Sequence, residues 1–301
     1  MHIRVGTRGS RLAMAQSKQV LEDIVAKNPK VTYELVVIKT TGDRIQDVAL
    51  DKIGDKGIFV KEIEEQLISR EIDLAVHSMK DMPGEIDDRL IFSATPKRAD
   101  HRDVMIFKDE NATFEKLKKN AVIATGSKRR GLQLQQSRKD LRIESIRGNV
   151  ETRIRKLFEQ DLDALVVAAC GLDRLGIAEK YEHQMVRLEP SVMLPAPAQG
   201  ILALQIHKDN EKLDLLLQSI KDRETTIQKK AERAFLKGVN GSCHVPIGAY
   251  ARVHSDTLTL DGLYGTEDGQ RVVRKEWTGS VEEAETIGFE LARQIVKEME
   301  Q

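Results

Sequence analysis

Positive charge is concentrated between Lys128 and Lys156, in a chain whose formal net charge is zero. This stretch holds ten lysines and arginines against three acidic residues. Two of its segments, 124–130 and 147–149, follow predicted strands, and the first also opens a predicted helix. Helix N-termini favour anions, and a guanidinium fork binds a carboxylate through two parallel hydrogen bonds. The pattern indicates a ligand with several carboxylates or phosphates, while a solvated helix face is the plainer alternative. The lack of interleaved aromatic residues disfavours nucleic acid.

Polar residues also follow the predicted strand at 72–76, in the run HSMKDMP that begins at His77. A buried carboxylate at Asp81 could stabilise a cation that develops during a reaction. Turn formation is the plainer explanation for an aspartate at this place. His77 taken alone is more typical of a core histidine. Ser78 and Lys80 form a conceivable hydrolase dyad, but they lack a nucleophile elbow and an oxyanion motif.

The two cysteines differ in their surroundings. Cys170 ends an apolar run, which predicts a small buried side chain. Cys243 follows a loop of glycine, asparagine and serine, which favours an exposed thiol, but no spacing rule by itself assigns this thiol a function. The histidines are scattered without the spacing of metal ligands, so no metal site is expected.

Composition places the chain among ordinary globular proteins, with 40% hydrophobic and 32% charged residues. Its 301 residues are enough for two or three domains. The N-terminus lacks the basic start and apolar run of a secretory signal, and no apolar stretch approaches the roughly 20 residues of a membrane span. With only two cysteines and no disulfide framework, we expect a cytoplasmic protein.

The hydrophobic pattern predicts alternating strands and helices in two similar halves, with a loop at 40–43 and a linker at 194–197. Strands are predicted at 2–8, 33–39, 72–76, 90–95, 104–107, 121–124, 142–146, 164–168 and 201–206. Two helical stretches, near 209–220 and 224–237, lead into a third part of different character. Alternating segments at 247–253, 257–263 and 271–278, followed by a helix to about 299, predict a small antiparallel sheet with one covering helix.

Nine ordered segments between about residues 3 and 253 together resemble the porphobilinogen deaminase family. They are VGTRGSRLAMAQ, TTGD, GDKGIFVKEIEEQL, DLAVHSMKDMP, GSKRRGLQL, RGNVETRIRKL, CGLDRLG, LPAPAQG and AERAFLKGVNGSCHVPIGAYA. Of these, VHSMKDMP and RGNVETR are the most specific.

The resemblance implies an α/β fold of two periplasmic-binding-protein-like domains with mixed sheets, plus a smaller α+β C-terminal domain with a three-stranded antiparallel sheet. The implied boundaries are 1–97 with 198–216, then 98–197, then 217–301. The implied activity is that of a transferase in tetrapyrrole (heme) biosynthesis. It condenses four porphobilinogen molecules, with loss of ammonia, into hydroxymethylbilane on a covalent dipyrromethane cofactor.

The same resemblance assigns roles to individual residues. Asp81 is the implied catalytic residue, and Cys243 the implied thioether attachment of dipyrromethane. The implied cofactor-binding residues are Ser10, Lys80, Ser127, Arg129, Arg130 and Arg147. The implied substrate-binding residues are Arg8, Lys56, Phe59, Arg153 and Arg174. The implied partner is porphobilinogen alone, bound by a monomer without nucleic acid or membrane.

Several positions depart from the usual pattern of the family. They are Lys128, Ala198, Gln205, His207 and Ser242. Ala198 and Ser242 each stand where the family pattern has a glycine. None removes the implied catalytic aspartate or the attachment cysteine. The alternative to an enzyme is a binding protein that uses the same two domains for an organic anion. Cys243 separates the two hypotheses, because a binding protein needs no covalent primer.

Overall fold

The structure, a computed structural model, describes residues 1–44, 60–240 and 245–301 of the chain. Lys56, Phe59, Ser242 and Cys243 lie outside the described residues. The described part divides into two compact units. The first unit comprises Met1–Ala99 and Gly200–Ile227, and the second comprises Asp100–Gln199 and Gln228–Gln301.

The order of strands and helices follows the prediction closely. The strands are β1 (His2–Arg8), β2 (Thr32–Ile38), β3 (Leu74–Ser78), β4 (Leu90–Phe92), β5 (Asp103–Phe107), β6 (Val122–Ala124), β7 (Arg142–Glu144), β8 (Ala164–Ala168), β9 (Met185–Leu188), β10 (Leu202–His207), β11 (Ile247–His254), β12 (Thr257–Gly265) and β13 (Val272–Ser280). The α-helices are α1 (Arg11–Lys27), α2 (Thr41–Arg44), α3 (Lys61–Ile68), α4 (Lys128–Ser137), α5 (Val150–Glu159), α6 (Ala169–Leu175), α7 (Glu211–Leu217), α8 (Arg223–Gly238) and α9 (Ala284–Met299).

The first unit is built on one mixed sheet with the strand order β2-β1-β3-β10-β4. β1 runs parallel to β2 and β3, while β10 runs antiparallel to β3 and β4. Helix α1 covers one face of this sheet with Val20, Leu21 and Ile24, which recur at helical spacing. Helix α3 covers the other face with Ile63 and Leu67. The carboxyl ends of β1 and β3 therefore lie side by side at one edge.

The second unit contains two sheets. The larger sheet is mixed, with the order β7-β6-β8-β5-β9, and its parallel strands are β6, β7 and β8. β5 is buried along its whole length and pairs antiparallel with β8 and β9. The smaller sheet is the antiparallel β11-β12-β13, against which α9 packs. The two mixed sheets and the three-stranded antiparallel sheet confirm the predicted fold class, whereas the three-domain boundaries stay a prediction.

The prediction was wrong at one loop. Thr41–Arg44 is a short helix rather than part of an irregular loop. Glu62 explains the difference, because its carboxylate accepts hydrogen bonds from the backbone N–H and the hydroxyl of Thr41 at the start of that helix. In the described ranges, no helix combines the length and the apolar character needed to cross a bilayer.

Candidate active site

Three neighbouring parallel strands of the second unit end at the same edge of their sheet. β7, β6 and β8 are adjacent in the sheet, so the segments that leave their carboxyl ends lie next to one another. Such edges are the usual ligand sites of α/β sheets. The expectation that the arginines of this half follow strand ends is confirmed. The segments carry Arg129 and Arg130 after β6, Arg147 and Arg153 after β7, and Arg174 after β8.

The β6–α4 segment places two arginines against one buried carboxylate. Arg129 donates from Nη1 to Asp103 Oδ2 at 2.7 Å and to the carbonyl of Leu194 at 2.7 Å. Arg130 donates from Nε and Nη2 to Asp103 Oδ1 at 3.0 and 2.8 Å. Its Nη1 donates to the carbonyl of Val166 at 3.2 Å. Both arginines are therefore buried members of an ion cluster, and their predicted contact with a ligand stays a prediction.

The electrostatics of this cluster are dominated by the two guanidiniums. Burial alone would raise the pKa of Asp103, but Arg129 and Arg130 outweigh it and hold the pKa far below its ordinary value. Burial lowers the pKa of Arg129, and Asp103 opposes that effect. One carboxylate faces two guanidiniums, so the cluster keeps a net positive charge. Ser127, the residue before α4, is half-buried, and its hydroxyl makes no capping hydrogen bond to the helix.

The β7–α5 segment presents two half-buried arginines. Arg147 precedes Gly148, whose φ of +114° is in the region that favours glycine. A Cβ added at Gly148 would lie only 2.7 Å from the Thr152 side chain, so a larger residue does not fit here. Asn149 then caps α5 by accepting a hydrogen bond from the backbone N–H of Thr152 at 2.8 Å. Arg153 Nε donates to the carbonyl of Gly148 at 2.7 Å, which fixes the guanidinium beside the helix start. The turn thus holds both arginines at an anion-favouring helix N-terminus.

Helix α6 places Arg174 and Cys170 one turn apart. Arg174 is half-buried, and burial lowers its pKa against the opposing influence of Cys170 and Asp173. Cys170 is buried, with 6% of its surface exposed, which confirms the prediction of a small core residue.

In the first unit, Arg8 and Ser10 lie at the carboxyl end of β1. Arg8 is the last residue of the strand and is half-buried. Ser10 is the N-cap of α1, as expected from its position, and its hydroxyl accepts from the backbone N–H of Ala13 at 3.2 Å. The role of Ser10 toward a cofactor is not tested by this contact.

Lys80 and Asp81 lie in the 3₁₀ turn Met79–Asp81 that directly follows β3. Met79 is the residue of this turn that enters the core, so Lys80 is half-buried and Asp81 is exposed. The expectation that Asp81 is a buried carboxylate is therefore wrong. Its charge is at the sheet edge, beside the strand end that carries Arg8, because β1 and β3 are parallel neighbours. Because the Asp81 carboxylate is exposed at this edge, a ligand can reach it. The protein itself does not remove water from this carboxylate.

His77 is a core residue, as expected, but it is not a satisfied one. It is 7% exposed, and its Nε2 has no hydrogen-bond partner among the described residues. Burial lowers the pKa of His77 to about 4, with a further lowering by the charge of Arg8. Gln205 opposes this shift from the neighbouring β10. His77 is thus neutral near pH 7.

Three of the unusual positions make specific contacts. Lys128 forms an ion pair with Glu267 at 2.7 Å. Gln205 donates to Glu64 Oε1 at 2.7 Å, while burial raises the pKa of that carboxyl. His207 lies 3.6 Å from the carboxylate of Asp209. Each departure thus has a polar partner within its own unit.

Asp103 and Gln199 were missed by the sequence reasoning. Gln199 donates from Nε2 to Asp103 Oδ1 at 2.9 Å and to the carbonyl of His101 at 2.8 Å. One signal in the sequence could have predicted the cluster. It is an aspartate at the start of the apolar run 103–107, in the half of the chain that also contains two adjacent arginines. Nothing in the spacing tells which arginines pair with it.

Family models cover most of the chain. Residues 3–215 match the model described as porphobilinogen deaminase, dipyromethane cofactor binding domain. Residues 226–297 match the porphobilinogen deaminase C-terminal domain. The chain belongs to the porphobilinogen deaminase family. This confirms the resemblance and the dipyrromethane cofactor that it implied.

Individual relatives agree over their full length. The porphobilinogen deaminase of Clostridium novyi (strain NT) is 54% identical over 299 residues, which is 99% of this chain and 100% of that protein. The porphobilinogen deaminase of Clostridioides difficile (strain 630) is 47% identical over 300 residues, covering 100% and 99% respectively. Among solved structures, the second substrate binding domain of a putative amino acid ABC transporter from Streptococcus pneumoniae is 14% identical with a TM-score of 0.46. It covers 80% of this chain and 95% of that one.

The described residues fit a porphobilinogen deaminase cofactor that carries several carboxylates. Arg129 makes its hydrogen bonds through Nη1, and its Nε and Nη2 bond to nothing in the described ranges. That edge of a guanidinium is the one that binds a carboxylate side-on. Ser127 adds a hydroxyl that is not used for capping.

Proposed function

We propose that the chain condenses four porphobilinogen molecules into hydroxymethylbilane, with release of four ammonia molecules, on dipyrromethane joined to Cys243. The observation that carries the proposal is the set of arginines at one edge of the β7-β6-β8 sheet, in a chain of this family. Each porphobilinogen brings an acetate and a propionate, so a growing chain needs many cationic partners. Two guanidiniums sharing one buried carboxylate supply such a partner.

We assign the carboxylate contacts by unit. In the first unit Arg8, Ser10 and Lys80 surround the ends of β1 and β3. In the second unit the contacts come from Ser127, Arg129, Arg130, Arg147, Arg153 and Arg174. Lys56 and Phe59 are assigned to substrate on the family resemblance alone.

Asp81 is the residue we assign to the chemistry. Departure of ammonia from porphobilinogen leaves a positive charge shared with the pyrrole nitrogen. A carboxylate that accepts a hydrogen bond from the pyrrole N–H binds this charged state more strongly than the neutral substrate, and such differential binding lowers the barrier. The bound dipyrromethane supplies the free pyrrole carbon to which the first substrate is added. Lys80, which precedes Asp81 in the same turn, is assigned to a carboxylate of the cofactor.

The remaining expectations extend this proposal. Porphobilinogen is the small-molecule partner, and the protein works as a cytoplasmic monomer without nucleic acid or membrane. The balanced charge of the whole chain supports the absence of nucleic acid and of an anionic membrane, because the basic excess is local to residues 128–156.

Replacing Asp81 tests the proposed chemistry. Asp81→Ala should lower kcat by on the order of a thousand-fold, the scale of losing one electrostatic partner of the transition state. The melting temperature should stay unchanged, because Asp81 is exposed. Steady-state kinetics with porphobilinogen measure the first effect, and thermal denaturation measures the second.

Asp88→Ala is the matched control, since Asp88 is also exposed and follows Asp81 in the same unit. It should turn over like the wild type. Near-wild-type turnover in Asp81→Ala would refute the assigned role. A wild-type protein without turnover would refute the proposed function itself.

A further inference from the structure

We infer that Asp103 is a positioning residue, which fixes Arg129 so that one edge of its guanidinium is held ready for a ligand carboxylate. The inference rests on the proposed function and assigns a role to a residue outside the predicted site. Asp103 is the first residue of β5, and none of its surface is exposed.

The donors of the two arginines are used differently. Arg130 uses its side-on edge, Nε and Nη2, on Asp103 Oδ1, and its Nη1 on Val166. Arg129 uses Nη1 alone, on Asp103 Oδ2 and the carbonyl of Leu194. Within the described ranges its Nε and Nη2 have no hydrogen-bond partner, although its side chain is only 5% exposed. A nearly buried guanidinium with its carboxylate-binding edge unbonded points to a carboxylate ligand.

The geometry around Asp103 explains why Arg129 keeps this orientation. Oδ1 is occupied by Arg130 and by Gln199, whose amide donates at 2.9 Å. Oδ2 is thereby left for Arg129 Nη1 at 2.7 Å. The two N–H groups of Nη1 lie in the guanidinium plane, so the bonds of this nitrogen to Asp103 and to Leu194 together fix the orientation of that plane. A long side chain that would otherwise adopt many rotamers is thus ordered before the ligand binds.

The charge of the cluster supports the same role. Asp103 neutralises one of the two guanidiniums, so one positive charge remains for the ligand. Without Asp103 the two buried guanidiniums would repel each other, and Arg129 would lose its fixed orientation. Asp103 therefore allows Arg129 and Arg130 to lie side by side, while one edge of the Arg129 guanidinium stays available for an anion.

The matched control is Asp100, which also lies between two arginines in the second unit. It accepts from Arg102 Nη2 at 2.8 Å and from Arg187 Nη1 at 2.7 Å, and it makes no contact with Arg129. Asp100→Asn therefore disturbs a comparable ion cluster and leaves Arg129 in place.

The experiment compares Asp103→Asn, Asp103→Glu and Asp100→Asn as full-length proteins after incubation with porphobilinogen. Intact mass gives the fraction that carries the covalent cofactor, and steady-state kinetics give kcat and KM. We expect Asp100→Asn to load cofactor like the wild type. Asp103→Asn should load poorly, with kcat/KM lower by about 100-fold, the scale of misplacing a binding group by an ångström. Asp103→Glu keeps the charge and should recover part of both.

Each other outcome has a meaning. Full loading and wild-type kcat/KM in folded Asp103→Asn would overturn the positioning role. If neither Asp103 variant folds while Asp100→Asn does, Asp103 is a structural residue only, which also overturns it. A wild-type protein that stays at the bare polypeptide mass would instead refute the proposed function, whatever the variants do.

Discussion

At the scale of the residue, burial determines what a polar side chain can do more than its residue type does. His77 and Asp81 follow one another closely in sequence, yet His77 is buried and Asp81 is exposed. The sequence predicts the burial of His77 correctly. It does not predict the exposure of Asp81, because a 3₁₀ turn after β3 sends Met79 rather than Asp81 into the core.

His77 leads to a pH prediction. An unperturbed histidine titrates near 6.5, whereas burial lowers the pKa of folded His77 to about 4. Between these values the unfolded chain binds a proton that the folded chain does not. The stability contributed by neutral His77 is therefore complete above about pH 6.5 and is lost as the pH falls to about 4, by up to about 3 kcal/mol.

Urea denaturation at several pH values measures this loss in the free energy of unfolding. In His77→Leu, which has no titratable group at this position, the decline between about pH 6.5 and 4 should be smaller by a similar amount. An identical decline in the two proteins would show that His77 does not titrate in this window.

At the scale of the element, helix α8 stabilises the turn that precedes β10. Ala198 adopts a φ of 60°, in the left-handed region, where residues other than glycine are strained by about 1 kcal/mol or more. Its N–H donates to Glu232 Oε2 at 2.6 Å, and the N–H of Ala251 donates to Oε1 at 2.9 Å. The fully buried Glu232 of α8 thus joins this turn to β11 inside the second unit.

Glu232→Gln should therefore destabilise the protein. The amide keeps the shape of the carboxylate but presents N–H groups to one of the two backbone donors, which costs about 1–3 kcal/mol. Chemical denaturation gives the difference in free energy of unfolding. Glu290→Gln is the control, since Glu290 pairs with Arg293 near the surface of the same unit and should cost less than about 1 kcal/mol. Equal effects of the two substitutions would contradict the special role of Glu232.

Most elements could be predicted because their patterns are strong. β8, and β5 after Asp103, are almost entirely buried continuous apolar runs, and β11 to β13 alternate. The short strand β9 was not predicted, because half-exposed Met185 and Val186 give no clear period in four residues. The helix at Thr41–Arg44 was missed because it depends on Glu62, which is distant in sequence.

At the scale of the whole molecule, topology explains why the arginines could be predicted as a set but not individually. Strand ends are visible in the sequence, and adjacent parallel strands bring them to one edge. The pairing of Asp103 with Arg129 and Arg130 spans more than 25 residues and depends on β5 lying beside β8. The proposed function of this chain depends above all on the attachment of the cofactor at Cys243.

Intact mass spectrometry tests that claim most directly. After incubation with porphobilinogen, the wild type should be heavier than its polypeptide by two porphobilinogens less two ammonia molecules. Because the proposed sulfur–carbon bond at Cys243 is covalent, the added mass should persist after the protein is denatured. Cys243→Ser should stay at the bare polypeptide mass, while Cys170→Ser, at the buried cysteine, should match the wild type. A bare wild-type mass, or an adduct that persists in Cys243→Ser, would contradict the account.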